Sequence, residues 1–167
     1  MKKNLTKVSE KIGVFLPIAF FIMAFFGSSP LKAQEVQDLE SYIFTNKIGS
    51  SDNFSDLLYG GMGIVEIFEG KVTSPTKPNS KTLLLDLSEL QQLSAALDEN
   101  PSIEFIRINL GNGSSQNLNL NLEDYPNIRF ILLMSPSIRD ASLFNQMIIG
   151  SKVNPGVKFL YQFTRPG

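Results

Sequence analysis

Four apolar runs of strand length occupy the second half of the chain. They span residues 81–87, 103–110, 128–135 and 157–164. Runs such as TLLLDL and IRFILLM are almost continuously apolar, which is typical of strands that a parallel sheet buries on both faces. A proline stands two residues before the first apolar residue of the last three runs, where a missing N–H costs the sheet little.

The connections between these runs differ in pattern. After the first run, Ser88 and Gln91 form a capping-box pattern, and three leucines then repeat on one helical face. After the third run, residues 137–150 begin with cap-like residues and stop at Gly150, a typical helix end. Residues 111–127 show no helical pattern. This alternation predicts an α/β fold with a mostly parallel sheet of repeated strand–helix units.

Two segments lie between the first 33 residues and these runs. Residues 34–62 are weakly patterned, with a short strand predicted at residues 41–44 and one helical turn at residues 53–58. Residues 64–72 alternate between apolar and polar side chains, which predicts a strand. We therefore expect a weakly structured segment at residues 34–62, followed by a single α/β domain at residues 63–167.

The first 33 residues have the composition of a secretory signal peptide. Four lysines precede a 16-residue apolar run at residues 12–27, and Ala33 is the expected last residue before cleavage. A retained membrane anchor is the alternative, but the run is shorter than the roughly 20 residues of a spanning helix and contains Pro17. The ending KAQ resembles exported proteins of the Bacteroidetes group. We expect a periplasmic or extracellular protein with no stable membrane span after cleavage.

The last three runs share a motif: proline, any residue, Ile or Val, a charge, Phe, then Ile or Leu. The phenylalanines are Phe105, Phe130 and Phe159, and the charges before them are Glu104, Arg129 and Lys158. The phenylalanines are 25 and 29 residues apart. A period of this length with one strand in each unit predicts stacked repeats.

The motif resembles that of leucine-rich repeats. Ile103, Ile106 and Ile108 fit the spacing of apolar residues in that family, and the next copy fits it as well. The chain departs from the family where an asparagine is expected, because Gly111 and Pro136 occupy those positions. The resemblance covers residues 83–163 and implies a short solenoid. A compact α/β sandwich explains the same pattern, and both interpretations stay open at this point.

The two interpretations assign different roles to Phe105, Phe130 and Phe159. In a leucine-rich-repeat-like stack these side chains line the concave face and form a ligand-binding surface, as exposed apolar patches usually do. In a sandwich they belong to the core, where aromatic residues at strand spacing usually lie.

The composition excludes several kinds of chemistry. The chain contains no His and no Cys, so Ser–His–Asp triads, Cys–His pairs and His-ligated zinc sites are impossible within one chain. Carboxylate chemistry, a Ser–Lys pair and an oxygen-ligated calcium site remain. The glycine-rich GNGSS lacks a phosphate-loop ending, and the Asn-rich NLNLNLED lacks the spacing of an EF-hand loop. We therefore predict no enzyme activity, no cofactor and no metal.

The charge balance argues against nucleic acid as a partner. Residues 34–167 carry 10 basic and 15 acidic residues, a net charge of −5. Nucleic-acid binding needs clustered Lys and Arg.

One further candidate site lies where the predicted strands end. Asp86, Ser88 and Asn109 follow the carboxyl ends of two neighbouring strands, where open parallel sheets bind ligands. The alternative is that Ser88 is a helix cap and Asp86 an acidic residue at the helix start. The sequence thus favours a non-catalytic, exported module that binds a protein or glycan of the cell envelope. The alternatives are a structural accessory of the envelope and a carboxylate-based hydrolase of an envelope polysaccharide. That hydrolase would need Asp86 close to Glu66, Glu69 or Glu104.

Overall fold

The computed structural model describes residues 35–49, 52–112 and 116–164. Seven strands were found there: β1 (Gln37–Asp38), β2 (Ile64–Phe68), β3 (Lys71–Val72), β4 (Thr82–Asp86), β5 (Phe105–Asn109), β6 (Phe130–Ser135) and β7 (Lys158–Phe163). The helices are α1 (Leu39–Thr45), α2 (Asn53–Leu58), a 3₁₀ helix (Leu87–Gln92), α3 (Leu93–Glu99) and α4 (Ala141–Met147). The predicted signal peptide lies outside the described residues.

The strands form a single sheet in the order β1-β7-β6-β5-β4-β2-β3. All neighbours are parallel except the β2–β3 hairpin. The fold is therefore α/β with a mostly parallel sheet, as the sequence predicts. Strands β4 to β7 lie side by side in chain order, the arrangement that stacked repeats produce.

The connections that follow β4, β5 and β6 all pack on one face of the sheet. That face presents Ile106, Ile108, Ile131, Leu133 and Phe159 to a buried core. The connections supply Leu93, Ala96, Leu97, Leu118, Leu120, Leu122, Phe144, Met147 and Ile148. The described residues of the Asn-rich connection after β5 contain no helix, but its three leucines point inward and its backbone bonds to the next connection. Burial of these leucines explains why they alternate with asparagine.

The opposite face is covered by the N-terminal segment. Leu39 of α1 and Phe54, Leu57 and Leu58 of α2 form a second buried cluster with Phe105, Phe130, Leu132 and Leu160 of the sheet. The buried hydroxyl of Thr82 donates to the Leu57 carbonyl at 2.7 Å, which fixes the end of α2 over β4. Layers on both faces make the fold an α/β sandwich rather than an open stack. Within residues 35–49 and 52–62, α1 and α2 supply this second layer.

Three local predictions are wrong. Residues 41–44 lie in α1 rather than in a strand, because Asp38 caps the helix by accepting the Ser41 N–H at 2.8 Å. The strand predicted at residues 64–72 is a hairpin that turns at Glu69 and Gly70, both with positive φ. Ser88 is not a helix cap, because the 3₁₀ helix begins at Leu87 with Asp86 in the capping position.

The third copy of the motif is shifted in the sheet by one residue. The Lys81 carbonyl accepts the N–H groups of both Glu104 and Phe105, and the Glu104 carbonyl accepts those of both Arg129 and Phe130. Between β6 and β7, the Arg129 carbonyl accepts the N–H of Lys158, which is the first residue of β7. Phe105 therefore pairs with Phe130, but Phe130 pairs with Lys158.

Candidate functional site

The three phenylalanines of the motif are core residues. Phe105 and Phe130 are 0% and 6% exposed beneath α1 and α2, and the ring of Phe130 lies 4.9 Å from that of Phe54 in an edge-to-face contact. Phe159 is 2% exposed on the other face, in the core that contains α4. The interpretation of these side chains as an exposed binding surface is therefore wrong, because the N-terminal helices cover two of them and the register turns the third away.

Asp86 and Asn109 do lie together at the carboxyl ends of their strands. They are paired neighbours on β4 and β5, and both side chains are exposed. Asn109 accepts the Gly111 N–H at 3.2 Å, so its amide shapes the turn after β5. Asp86 makes no side-chain capping bond. The structure therefore brings together the two polar residues that the sequence placed at this edge.

The N-terminal helices leave part of their sheet face uncovered. We call this region the open face. It consists of alternate side chains from the carboxyl-terminal halves of the parallel strands: Glu66, Phe68, Leu84, Asp86, Arg107, Asn109, Met134 and Gln162. Leu84 and Met134 are half-buried and apolar, whereas the residues toward the strand ends are mostly polar or exposed. The open face thus combines accessible apolar surface with a polar margin.

A pocket of about 260 Å³ opens where the helices meet the open face. Leu39, Glu40 and Ile43 of α1 form one wall, and Leu58 and Tyr59 at the end of α2 form another. The floor consists of Arg107, Leu132, Met134 and Gln162 from three adjacent strands. Leu39, Leu58 and Leu132 are buried, whereas Glu40 and Tyr59 are exposed at the rim. The pocket therefore has an apolar base and a few polar groups.

Arg107 is the cation of this pocket. Its side chain is half-buried, and Nη1 donates to the Leu58 carbonyl at 3.3 Å. Arg107 takes part in neither of the two ion pairs that the described residues form, which are Lys81–Glu104 and Arg129–Glu104. An arginine guanidinium carries five N–H donors in a rigid fork. Donors of Arg107 therefore remain for a ligand.

The acidic side chains named for a hydrolase are distributed over both ends of the sheet. Glu104 lies beside Lys81 at the amino-terminal ends of the strands. Asp86 follows Lys81 by five residues in the direction of β4, so it lies about 16 Å from that end of the sheet. Glu69 lies in the β2–β3 turn. Glu66 pairs with Leu84, which stands two residues before Asp86 on β4. The Cα atoms of Glu66 and Asp86 are therefore about 8 Å apart on the open face. Glu66 and Asp86 are thus the one pair of those proposed that shares a surface.

Glu104 has a structural role. Burial alone would raise the pKa of its carboxyl, but hydrogen bonds and attraction from Lys81 at 2.8 Å and Arg129 at 3.2 Å outweigh burial and lower that pKa. Arg129 also lies 5.3 Å from the centre of the Phe130 ring. Glu104 therefore joins three neighbouring strands at their amino-terminal ends through Lys81 and Arg129.

Sequence reasoning missed Arg107 and the walls of the pocket. Arg107 is the single charged residue within β5 and stands two residues after Phe105, so strand alternation alone puts both on one face. Asp38, followed by apolar residues at positions 39, 42 and 43, was an available signal for α1. No local pattern could place α1 and α2 on this face, because their position depends on tertiary packing.

Comparison of the chain with family models, curated proteins and solved structures found no match. Among residues 35–49, 52–112 and 116–164, no three acidic side chains are grouped to hold a metal ion. Over the same ranges, none of the helices has the length and apolar character needed to cross a membrane.

Proposed function

We propose that the protein is an exported, non-catalytic interaction module that binds a polypeptide of the cell envelope through the open face. The observation that carries this proposal is the partial cover of one sheet face. The helices bury its amino-terminal half and leave its carboxyl-terminal half accessible beside a pocket. Exposed apolar surface next to convergent polar groups is typical of binding sites.

The dimensions of the open face favour an extended segment as its occupant. Five parallel strands, β2 and β4 to β7, span about 19 Å between the outer strand axes. The open face continues along each strand for only two or three residues, or about 7–10 Å. An extended segment of about six residues covers that distance across the strands. A folded domain would need an interface of about 800 Å² on each partner, which is larger.

Site-specific photocrosslinking in cells of the source organism tests this proposal. Benzoylphenylalanine replaces Tyr59 at the pocket or Asp86 on the open face. Asn119 and Ile149, which are exposed on connections that pack against the opposite face, provide matched control positions. We expect a protease-sensitive adduct of discrete mass at the first two positions and none at the controls. Adducts at all four positions, no adducts, or an adduct that is a glycan would contradict the proposal.

Export is a separate part of the proposal and has its own test. We expect the protein isolated from the source organism to begin at Gln34, as the predicted cleavage after Ala33 requires. Mass spectrometry of the intact protein measures this directly. An N-terminus at Met1 in a cytoplasmic fraction would contradict export and leave the binding proposal to be tested on its own.

A hydrolase is the second candidate function, because Glu66 and Asp86 are diagonal neighbours on the open face. Carboxyl groups of glycoside hydrolases lie about 5–9.5 Å apart. Both side chains are exposed, however. The general acid of such an enzyme is usually buried, because burial raises its pKa toward neutral pH. Release of reducing ends from envelope polysaccharide, abolished in the double variant Glu66→Gln/Asp86→Asn, would support this function instead.

A further inference from the structure

We infer that the pocket receives the carboxylate of an acidic side chain from the bound polypeptide, with Arg107 as its partner. This inference rests on the proposed function and adds the chemical class of the residue that the module recognises. It begins from Arg107, which is half-buried, held toward the pocket and outside both ion pairs of the described residues.

The surroundings of Arg107 favour a ligand whose carboxylate is attached to an aliphatic chain. Leu132 and Met134 lie beside Arg107 on the pocket floor, and Leu39 and Ile43 form a wall. An arginine in apolar surroundings has lost part of its hydration, so a carboxylate that reaches it gains a charge-assisted, often bidentate, hydrogen bond. The side chain of a glutamate has the required apolar methylenes below its carboxylate.

The volume of the pocket argues for a single side chain rather than a whole small molecule. At about 260 Å³, the pocket is smaller than the roughly 300–1,000 Å³ of sites that enclose a drug-sized ligand. It continues into the open face through Arg107, Met134 and Gln162, which belong to both. A polypeptide that crosses the open face can therefore place one side chain in the pocket.

Glu40 at the rim reduces the attraction for an anion but does not cancel it. Its side chain is exposed, so solvent screens its charge more than that of half-buried Arg107. Gln162 on the pocket floor carries an amide whose N–H groups can donate to the second carboxylate oxygen. Replacement of Glu40 by Gln should therefore strengthen the binding of a carboxylate.

An NMR titration of the purified protein with isovalerate tests the anion preference. Its neutral isostere, isovaleramide, provides the matched ligand control. We expect saturable shifts at Arg107, Met134 and Gln162 with isovalerate, and binding at least about tenfold weaker with isovaleramide. Arg107→Leu should abolish the preference for isovalerate, Arg107→Lys should retain part of it, and Glu40→Gln should increase the affinity for isovalerate.

Controls and contradicting outcomes separate this inference from the proposed function. Arg129→Gln removes an arginine that pairs with Glu104 away from the pocket and should leave both ligands unaffected. Equal binding of the two ligands, or no shift at the pocket, would overturn the inference. Adducts at Asp86 in the crosslinking experiment would still support the proposed function in that case.

Capped peptides test whether the carboxylate comes from a side chain. The probes are N-acetylated, C-amidated Leu-Glu-Leu, the corresponding Leu-Gln-Leu, and Leu-Gln-Leu with a free carboxyl terminus. We expect the first peptide to bind at the pocket and the second to bind at least about tenfold more weakly. Binding by the free-terminus peptide alone, or by isovalerate but none of the peptides, would overturn the assignment to a partner's acidic side chain.

Discussion

Phe130 and Phe159 occupy the same position of the repeated motif but lie on opposite faces of the sheet. Phe159 pairs with Ile131, so its side chain enters the core beneath α4, whereas Phe130 lies beneath α1 and α2. The side-chain period of a strand is two, so a shift of one residue reverses the face of every side chain. The three phenylalanines of the motif therefore do not share one face: Phe105 and Phe130 lie together on one side of the sheet, and Phe159 lies on the other.

The first prediction concerns the coupling between these phenylalanines. Phe130→Ala and Phe159→Ala should each cost about 3–5 kcal/mol in the free energy of unfolding, because each empties a buried aromatic site. In double-mutant cycles measured by chemical denaturation, Phe130 and Phe159 should couple by less than about 0.5 kcal/mol. Phe54 and Phe130, in edge-to-face contact, should couple by about 0.5–1.5 kcal/mol.

Phe44 provides the control for these substitutions, because its side chain is 86% exposed. Phe44→Ala should change the free energy of unfolding by no more than about 0.5 kcal/mol. Stronger coupling between Phe130 and Phe159 than between Phe54 and Phe130 would place the two motif residues on one face, contrary to the register described above.

The second prediction concerns the attachment of α2 to the sheet. Thr82→Val keeps the shape of the side chain but removes the buried hydroxyl that donates to the Leu57 carbonyl. The Leu57 carbonyl still accepts the Gly60 N–H at 3.4 Å, so the expected cost is that of one lost hydrogen bond, about 0.5–1.5 kcal/mol. Thr45→Val on the exposed end of α1 should cost less than about 0.5 kcal/mol. Equal losses in the two variants, measured by urea denaturation, would show that this hydrogen bond does not hold α2.

The third prediction concerns the pH dependence of stability at Glu104. Its pKa is lower in the folded protein than in the unfolded chain, so ionisation of Glu104 favours folding. That contribution is complete above the ordinary carboxyl pKa of about 4.3 and is lost as the pH falls through the lowered native pKa. Glu104→Gln should therefore destabilise the protein near pH 7 and have progressively less effect below about pH 4.

Denaturation midpoints of the wild type and of Glu104→Gln across this pH range provide the measurement. Glu99→Gln, an exposed acid at the end of α3, is the matched control and should show no such convergence. A destabilisation by Glu104→Gln that stayed constant from neutral to acidic pH would mean that the bonds to Lys81 and Arg129 do not depend on the charge of Glu104.

The parallel sheet could be predicted because its strands carry long, nearly continuous apolar runs. Strands β4 to β7 begin and end within two residues of the predicted runs, and no helix was found in the described part of the next connection, residues 111–112 and 116–127. Asp86 and Asn109 were placed together because parallel strands end at one edge of a sheet. These features depend on local pattern and on the direction of the strands.

The packing of α1 and α2 on the sheet could not be predicted in the same way. Helices of six and seven residues, such as α2 and α1, are unstable alone and form because their apolar side chains pack on Phe105 and Phe130. The shift of Phe159 depends on how the Arg129 carbonyl bonds to β7, which no residue pattern reports. The pocket at Arg107 exists only where these tertiary features meet.

The most direct test of the proposed function is the affinity of the crosslinked partner for two matched variants. Met134→Glu puts a charge on the open face, and Ile149→Glu puts the same charge on an exposed apolar residue away from it. Calorimetry on proteins with unchanged thermal midpoints should show roughly tenfold or greater weakening for Met134→Glu, and little change for Ile149→Glu. Equal affinities for the two variants would contradict binding at the open face.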